Sequence, residues 1–300
     1  MTDLRRPPVN DGDLFSERAR QYAHDKPLQR IHILEAGCGW GHGLDLGARE
    51  RQVIGVDLDA PALRAHASRR TDLDAWHLGD LRTVPMPPRA YDIVHATYLI
   101  ERVPNAELVL DRFVAALKPG GLLLVRIRDR NTAFGFLDRK LPRWLSGPIW
   151  SRLPARERHA HPDPAQNEED EEKKEKADVV EAETEQGQTE KAGPGVVAGA
   201  VARTVAAGTV LNGHTDVPPR GIYERVASRQ GMQWYCVMRG LVIAEEYTSH
   251  DSLNALAAGT GLAGRLCRLV AALSRGRLTA EHSETTLVIR KPENRFARVI

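Results

Sequence analysis

Short runs of apolar residues recur through the first half of the chain, each too short for a helix and each closed by polar or glycine-bearing residues. They predict strands near 31–35, 53–57, 75–78, 92–97 and 121–127. Between them, apolar positions spaced three and four apart predict helices near 42–50, 60–69 and 105–117. Before the first strand, Asp13 to Asp25 fits a short helix that Pro27 would stop. Strand and helix in alternation are the pattern of a parallel sheet with helices on its faces. Further on, a helix is expected near Ile222 to Gln230, a strand at about Gln233 to Met238 and a last strand at Thr285 to Lys291. The final pair fits an antiparallel arrangement. Leu253 to Leu273 is helix-forming, with Gly259-Thr260-Gly261 as the point where it breaks in two. Its leucines suit a cover over a pocket, an oligomer interface or, more simply, packing on the edge of the sheet.

About a hundred residues separate the fifth and sixth strands, far more than a crossover requires. Asp163 to Lys191 holds twelve acids against four lysines, a charge of −8, and no aromatic residue. Such a stretch cannot bury enough apolar surface to order itself and is expected to be a disordered acidic insertion. An isolated charged helix over Asn167 to Lys176 is the alternative. The whole chain carries +2, so the body outside this stretch carries about +10. The resulting division is a helical segment over 1–26, an α/β domain over 27–150, an acidic insertion over 151–215 and a completion of that domain, with a helical insertion, over 216–300.

Among 300 residues, 42% are hydrophobic, enough for a substantial core. Cys38, Cys236 and Cys267 are far apart and form no C-x-x-C, so neither a disulfide framework nor a metal site is expected. With no secretory apolar region and no run of about 18 consecutive apolar residues, the chain reads as cytoplasmic, with no membrane partner.

Candidate chemistry gathers at the first strand. Glu35-Ala36-Gly37-Cys38-Gly39-Trp40-Gly41 is a strand end running into a glycine turn, and Asp57 ends the next strand. Glycines let a ligand approach the backbone, and an acid at that second position can accept both hydroxyls of a ribose. The six-residue spacing of a dinucleotide fingerprint fails, because His42 or Leu44 stands where its last glycine would be. A carboxylate at the mouth of the loop also disfavours a diphosphate and suits an ammonium or sulfonium. Glu35 otherwise makes an ordinary salt bridge, and Asp59 fits a cap for a helix opening at Pro61. Trp40 suits either a shield for the ligand or packing under the next helix. Cys38 is there for its small size rather than as a nucleophile.

In this order of motifs the chain resembles the class I S-adenosylmethionine-dependent methyltransferases of the type 11-like kind. Besides Glu35 to Gly41 and Asp57, the matching segments are Gly79-Asp80-Leu81, Tyr91 to Ala96 and Leu117-Lys118-Pro119-Gly120-Gly121 to Val125, with Ile289-Arg290-Lys291-Pro292 similar to the family's last strand. The resemblance implies a Rossmann-like, doubly wound α/β sheet, mostly parallel with an antiparallel last strand, and S-adenosylmethionine as cofactor. It implies cofactor contacts from Glu35, Gly37, Gly39, Gly41, Asp57, Asp80 and Leu81, with Asp80 otherwise a loop acid.

For the acceptor side, His95, Tyr98 and Glu101 are the candidates, although His95, like His42, also suits a packing role. Glu101-Arg102 departs from the Glu-His pair many relatives carry. The implied reaction is methyl transfer to a small-molecule acceptor. A cofactor-binding protein without turnover is the alternative. A nucleic-acid methyltransferase is disfavoured, because no N-P-P-Y-like tetrapeptide follows the fourth strand. Neither the acceptor nor the oligomeric state is readable from these residues.

Overall fold

The structure, a computed structural model, describes residues 13–39, 43–140, 221–250 and 262–293. The elements in order are α1 (Leu14–His24), β1 (Ile31–Ala36), β2 (Arg51–Asp57), α2 (Pro61–Ala67), β3 (Ala75–Leu78), β4 (Tyr91–Thr97), α3 (Ala106–Ala116), β5 (Leu117–Arg128), α4 (Ala133–Lys140), α5 (Arg229–Arg239), β6 (Val242–Ser249), α6 (Leu262–Leu273) and β7 (Glu284–Arg290). The seven strands form one sheet in the order β3-β2-β1-β4-β5-β7-β6. Strands β1 to β5 pair in parallel, and β7 runs antiparallel to both β5 and β6. The apolar pattern predicts the parallel strands, and the resemblance implies the doubly wound order with an antiparallel last strand.

Alternation along the strands explains the two apolar layers. Leu34, Ala36, Val94, Ala96, Leu123 and Val125 face one side, where Val109, Leu110 and Phe113 of α3 and Met232 and Cys236 of α5 cover them. Ile31, Ile33, Ile93, Leu122 and Leu124 face the other, beneath Phe15, Ala19 and Tyr22 of α1. A sheet covered on both faces needs near-continuous apolar strands, and β4 is buried at every residue except its last.

That burial includes a charge. Asp92 is 1% exposed, and its carboxylate accepts from the His32 amide (3.1 Å), Lys118 Nζ (2.6 Å) and the Tyr22 hydroxyl (3.3 Å), with Lys26 at 3.4 Å. Burial alone would raise its pKa, but the Lys118 and His32 hydrogen bonds and the lysine charges outweigh it and hold Asp92 below the usual carboxylate range. One side chain thereby ties α1, β1, β4 and β5 together at the amino ends of the strands.

The sheet and several helix boundaries follow the pattern; four local features do not. Residues 43–50 form a turn at Gly47 and Ala48 rather than a helix. The Asp45 amide donates to Ser16 Oγ (2.9 Å) and its carboxylate accepts from the Gly47 amide (2.8 Å), so side chains satisfy the groups a helix would have used. Gln233 to Met238 belongs to helix α5, not to a strand, and Ile222 to Ser228 is not helical. Ser228 caps α5 through the Gly231 amide, Gly240 ends it, and Met232, Tyr235 and Cys236 bury one helical face, so the true strand starts beyond that turn at Val242. Asp59 does not cap α2; Ala60 holds that position without a side-chain bond, and Asp59 pairs with Arg64 at 2.6 Å. Helix α4 answers to no predicted element.

The acidic stretch 163–191, the expected break at 259–261 and the first half of the Leu253 to Leu273 helix lie outside the described residues. The described residues, all within Met1–Pro154 and Thr215–Ile300, group as one compact unit. No helix among the described residues is long and apolar enough to cross a membrane.

Replacing Asp92 by Ala leaves Lys118 and Lys26 facing each other without their shared anion. Because both lysines are about a third exposed, the expected loss is about 2 to 3 kcal/mol rather than the 3 to 5 of a fully buried pair, read by denaturant unfolding at constant slope. The wild-type contribution of Asp92 is present above the ordinary carboxylate range and is lost as pH falls through its depressed folded value. The difference in stability between the two proteins should therefore shrink in acid.

Candidate active site

The strand order reverses between β1 and β4, so the loops leaving their carboxyl ends diverge and open a crevice there. Turn 37–39 lies at that point. Gly37 adopts φ +86°, where a side chain would be strained, and its amide donates to Val56 O at 2.8 Å, turning the chain back over β2. At Gly39 the amide donates to Asp57 Oδ2 at 2.8 Å. A Cβ on Gly39 would lie 2.7 Å from Leu63 Cδ2, 2.9 Å from Leu63 Cβ and 3.0 Å from Asp57 Oδ2, so helix α2 already closes the space around the turn.

Asp57 ends β2, 3% exposed, and its other oxygen accepts from the Leu58 amide at 2.7 Å. Burial pushes its pKa up to about 6 against the pull of these two amides. Cys38, next in the turn, is fully buried, and a Cβ on Gly55 would meet its sulfur at 2.7 Å. Burial, with the Asp57 and Glu35 charges, pushes the thiol up to about 12, so a small side chain and not a thiolate is what this position holds.

Glu35 is 1% exposed and grips Arg70 in a two-pronged pair, with Nη2 to Oε2 at 2.9 Å. Arg70 also donates to Cys38 O at 2.9 Å and to Asp72. The salt-bridge reading of Glu35 is thus the arrangement observed, and the negative potential expected at the loop mouth is offset by Arg70. Nothing in the local pattern singles out Arg70: it lies 35 residues from Glu35 and only folding brings the two together.

Asp80 follows β3 in the open, its carboxylate held by Arg82 at 2.6 Å and by the Arg82 amide at 2.9 Å. The Arg82 contact lowers its pKa to about 2. The Leu81 side chain is 1% exposed in the core, and its carbonyl accepts from Arg112 at 3.0 Å, so it is no open apolar wall. Gly41, Trp40 and His42 lie outside the described residues.

The three acceptor-side candidates fall in two places. His95 lies beside Glu35 in the β1–β4 register, 6% exposed under Phe15 of α1 with ring centroids 5.3 Å apart. Its Nε2 is 2.9 Å from Thr97 Oγ1, its Nδ1 has no hydrogen-bond partner, and burial lowers its pKa, leaving a neutral ring. Tyr98 and Glu101 meet instead around Arg128. The guanidinium stacks 4.1 Å over the Tyr98 ring and reaches Glu101 Oε1 at 3.4 Å, and the Tyr98 hydroxyl donates to Glu284 Oε2 at 2.7 Å. Glu101 is fully buried, and its carbonyl accepts from the Ile222 and Tyr223 amides (2.7 and 2.8 Å), docking the returning chain on the β4 loop. Arg102 sits in the same cluster, where burial and the Arg128 charge lower its pKa against the pull of Glu101 and Asp138.

Residues 11–170 match a family model described as a methyltransferase domain. A probable S-adenosylmethionine-dependent methyltransferase of Mycolicibacterium smegmatis is 36% identical over 101 residues, 33% of this chain and 39% of that protein. The trans-aconitate 2-methyltransferase of Variovorax paradoxus is 31% identical over 106 residues (34% and 40%), and the malonyl-[acyl-carrier protein] O-methyltransferase of Yersinia pestis is 32% identical over 116 (37% and 40%). The matched region spans about two fifths of the length of these relatives.

Two outcomes follow from the Asp57 geometry. A folded pKa above the unfolded one means the native state holds the proton more tightly, so the Asp57 contribution falls as pH rises from the ordinary carboxylate range through about 6. Melting curves should show Asp57→Asn gaining on wild type across that window, by about 1 to 3 kcal/mol in total. Gly39→Val should cost about 1 to 3 kcal/mol through overpacking against Leu63, read by chemical denaturation without any ligand.

Proposed function

The chain belongs to the methyltransferase-domain family, and on that premise we propose that it transfers a methyl group from S-adenosylmethionine to a small-molecule acceptor. The observation that carries this reading is the glycine turn after β1, fastened to the buried Asp57 carboxylate where the strand order reverses. S-adenosylmethionine, when bound, supplies an electrophilic methyl group on a sulfonium sulfur.

The residues present fit such a group. Asp57 uses one lone pair of each oxygen on the Gly39 and Leu58 amides, which leaves others for the two ribose hydroxyls. Gly37 and Gly39 keep the turn thin, so that backbone rather than side chain meets the cofactor. Adenine falls to the Asp80–Leu81 backbone, because Arg82 engages the Asp80 carboxylate and the Leu81 side chain faces the core. Glu35 acts on the cofactor ammonium through its pair with Arg70, as a neutralised rather than an open charge.

Methyl transfer asks the protein mainly for alignment and exclusion of water, worth on the order of 7 to 11 kcal/mol of the barrier. A base is needed only where the acceptor must first lose a proton. Of the three candidates, His95 suits that role best: its ring is neutral and its Nδ1 lacks a hydrogen-bond partner, whereas Tyr98 and Glu101 are committed to the Arg128 cluster. The small-molecule acceptor is supported by the relative named for trans-aconitate.

Calorimetric titration of the purified chain should show binding of S-adenosylmethionine and S-adenosylhomocysteine. Asp57→Ala should weaken both by roughly 1.5 to 3 kcal/mol per hydrogen bond lost. Wild-type protein that binds neither ligand overturns the reading. Unchanged affinity in Asp57→Ala removes the ribose from Asp57, and methyl-labelled cofactor incubated with candidate acceptors reports the transfer itself.

A further inference from the structure

Helix α6 has two apolar faces, and α4 covers only one. Cys267, Val270 and Ala271 pack against Ala133, Phe134 and Leu137. A further strip, Leu266, Leu269 and Leu273 at the i, i+3, i+7 spacing of one helical face, is 39%, 55% and 74% exposed. Arg265 and Arg268 are exposed along one flank, and Arg275 and Arg277 are exposed just past the end of the helix. From Leu262 to Ala280 the chain contains these four arginines and no acid. At the end of the helix, Phe136, Leu273 and Leu278 floor a shallow cleft of about 480 Å³ rimmed by Arg275 and Arg277.

Leucines in a strip with arginines along its border are the composition of a helix that lies in the plane of a membrane interface, apolar face inward and guanidinium groups at the phosphates. We propose that α6 and the cleft at its end seat this protein on an anionic membrane surface. Such a seat needs no spanning segment. Charge argues against the other occupants. In a symmetric dimer through this strip, both copies would bring arginines to the interface and neither an acid from 262–280 to pair with them. The chain's own acidic stretch 163–191 could neutralise the arginines, but it offers too few apolar residues to cover three leucines. A lipid surface supplies both the negative charge and the apolar phase, and it does so independently of any methyl transfer.

Co-sedimentation of the full chain with vesicles tests this. Phosphatidylcholine vesicles containing phosphatidylglycerol should carry the protein down, vesicles of phosphatidylcholine alone should not, and sodium chloride should release it. Leu269→Glu should lower partitioning by about tenfold or more, since an exposed apolar contact becomes a charge facing lipid phosphates. Arg275→Gln with Arg277→Gln should lower it by about fivefold per arginine. All three positions are exposed, so melting temperatures should match wild type and separate lost binding from lost fold; Leu273→Ser is the second variant should Leu269→Glu misfold.

Equal binding to both vesicle types overturns the proposal, as does binding that ignores both leucine changes. A vesicle-free wild-type dimer that Leu269→Glu splits assigns the face to a second copy instead. Vesicle binding that appears only after removal of 163–191 assigns it to that stretch.

Discussion

A carboxylate cannot leave water without something to replace it, and this sheet takes several out of water. Asp92 is the furthest committed: a tyrosine of α1, an amide of β1, a lysine of β5 and Lys26 just past α1 converge on it, which fixes α1 against the amino ends of β1, β4 and β5. At the opposite ends of the strands the same requirement is met differently. Asp57 is held by amides of the turn it organises, Glu35 by Arg70, and Glu101 by Arg128. The amino ends form a locked base, while the carboxyl ends carry charges whose partners a ligand can share or displace.

The state of Asp57 sets the second end apart from the first. Two backbone amides do not fully compensate its burial, and its pKa stands near 6. A ligand hydroxyl pair would supply what the protein withholds, so binding and relief of the buried charge are the same event. Glu35 makes the contrary case. Its partner Arg70 also holds Asp72, so one guanidinium serves two carboxylates and the mouth of the turn carries a shared rather than an open negative charge.

The connection that returns after residue 220 is anchored on backbone groups of the segment between β4 and α3. Ile222 and Tyr223 donate to the carbonyl of Glu101, and Glu224 accepts from the Asn105 and Ala106 amides at the start of α3. These bonds bring the chain back to the sheet so that α5 can cover β5 and β7, whatever occupies the sequence between. Loop closure grows costlier only slowly with length, and for that reason the sheet accommodates so long an interval between β5 and β6.

The parallel strands, their order of charge-bearing ends, the glycine turn and the family to which it belongs were all legible in the amino-acid sequence. The strands and the turn rest on local periodicity, an apolar run of five or six residues with an acid at its end and a glycine after it, and the family rests on the resemblance of those motifs in their order. What escaped local reading has a common physical origin. Whether Gln233 to Met238 forms a strand or a helix was decided by which face could pack on Leu241 and the sheet, and residues 43–50 lost their helix to a hydroxyl on Ser16, 29 positions away. The partners of Glu35, Asp57, Asp92 and Glu101 lie up to 70 residues off along the chain. A sequence shows that an acid is flanked by apolar residues; only the tertiary structure chooses which distant cation, amide or hydroxyl makes its burial tolerable.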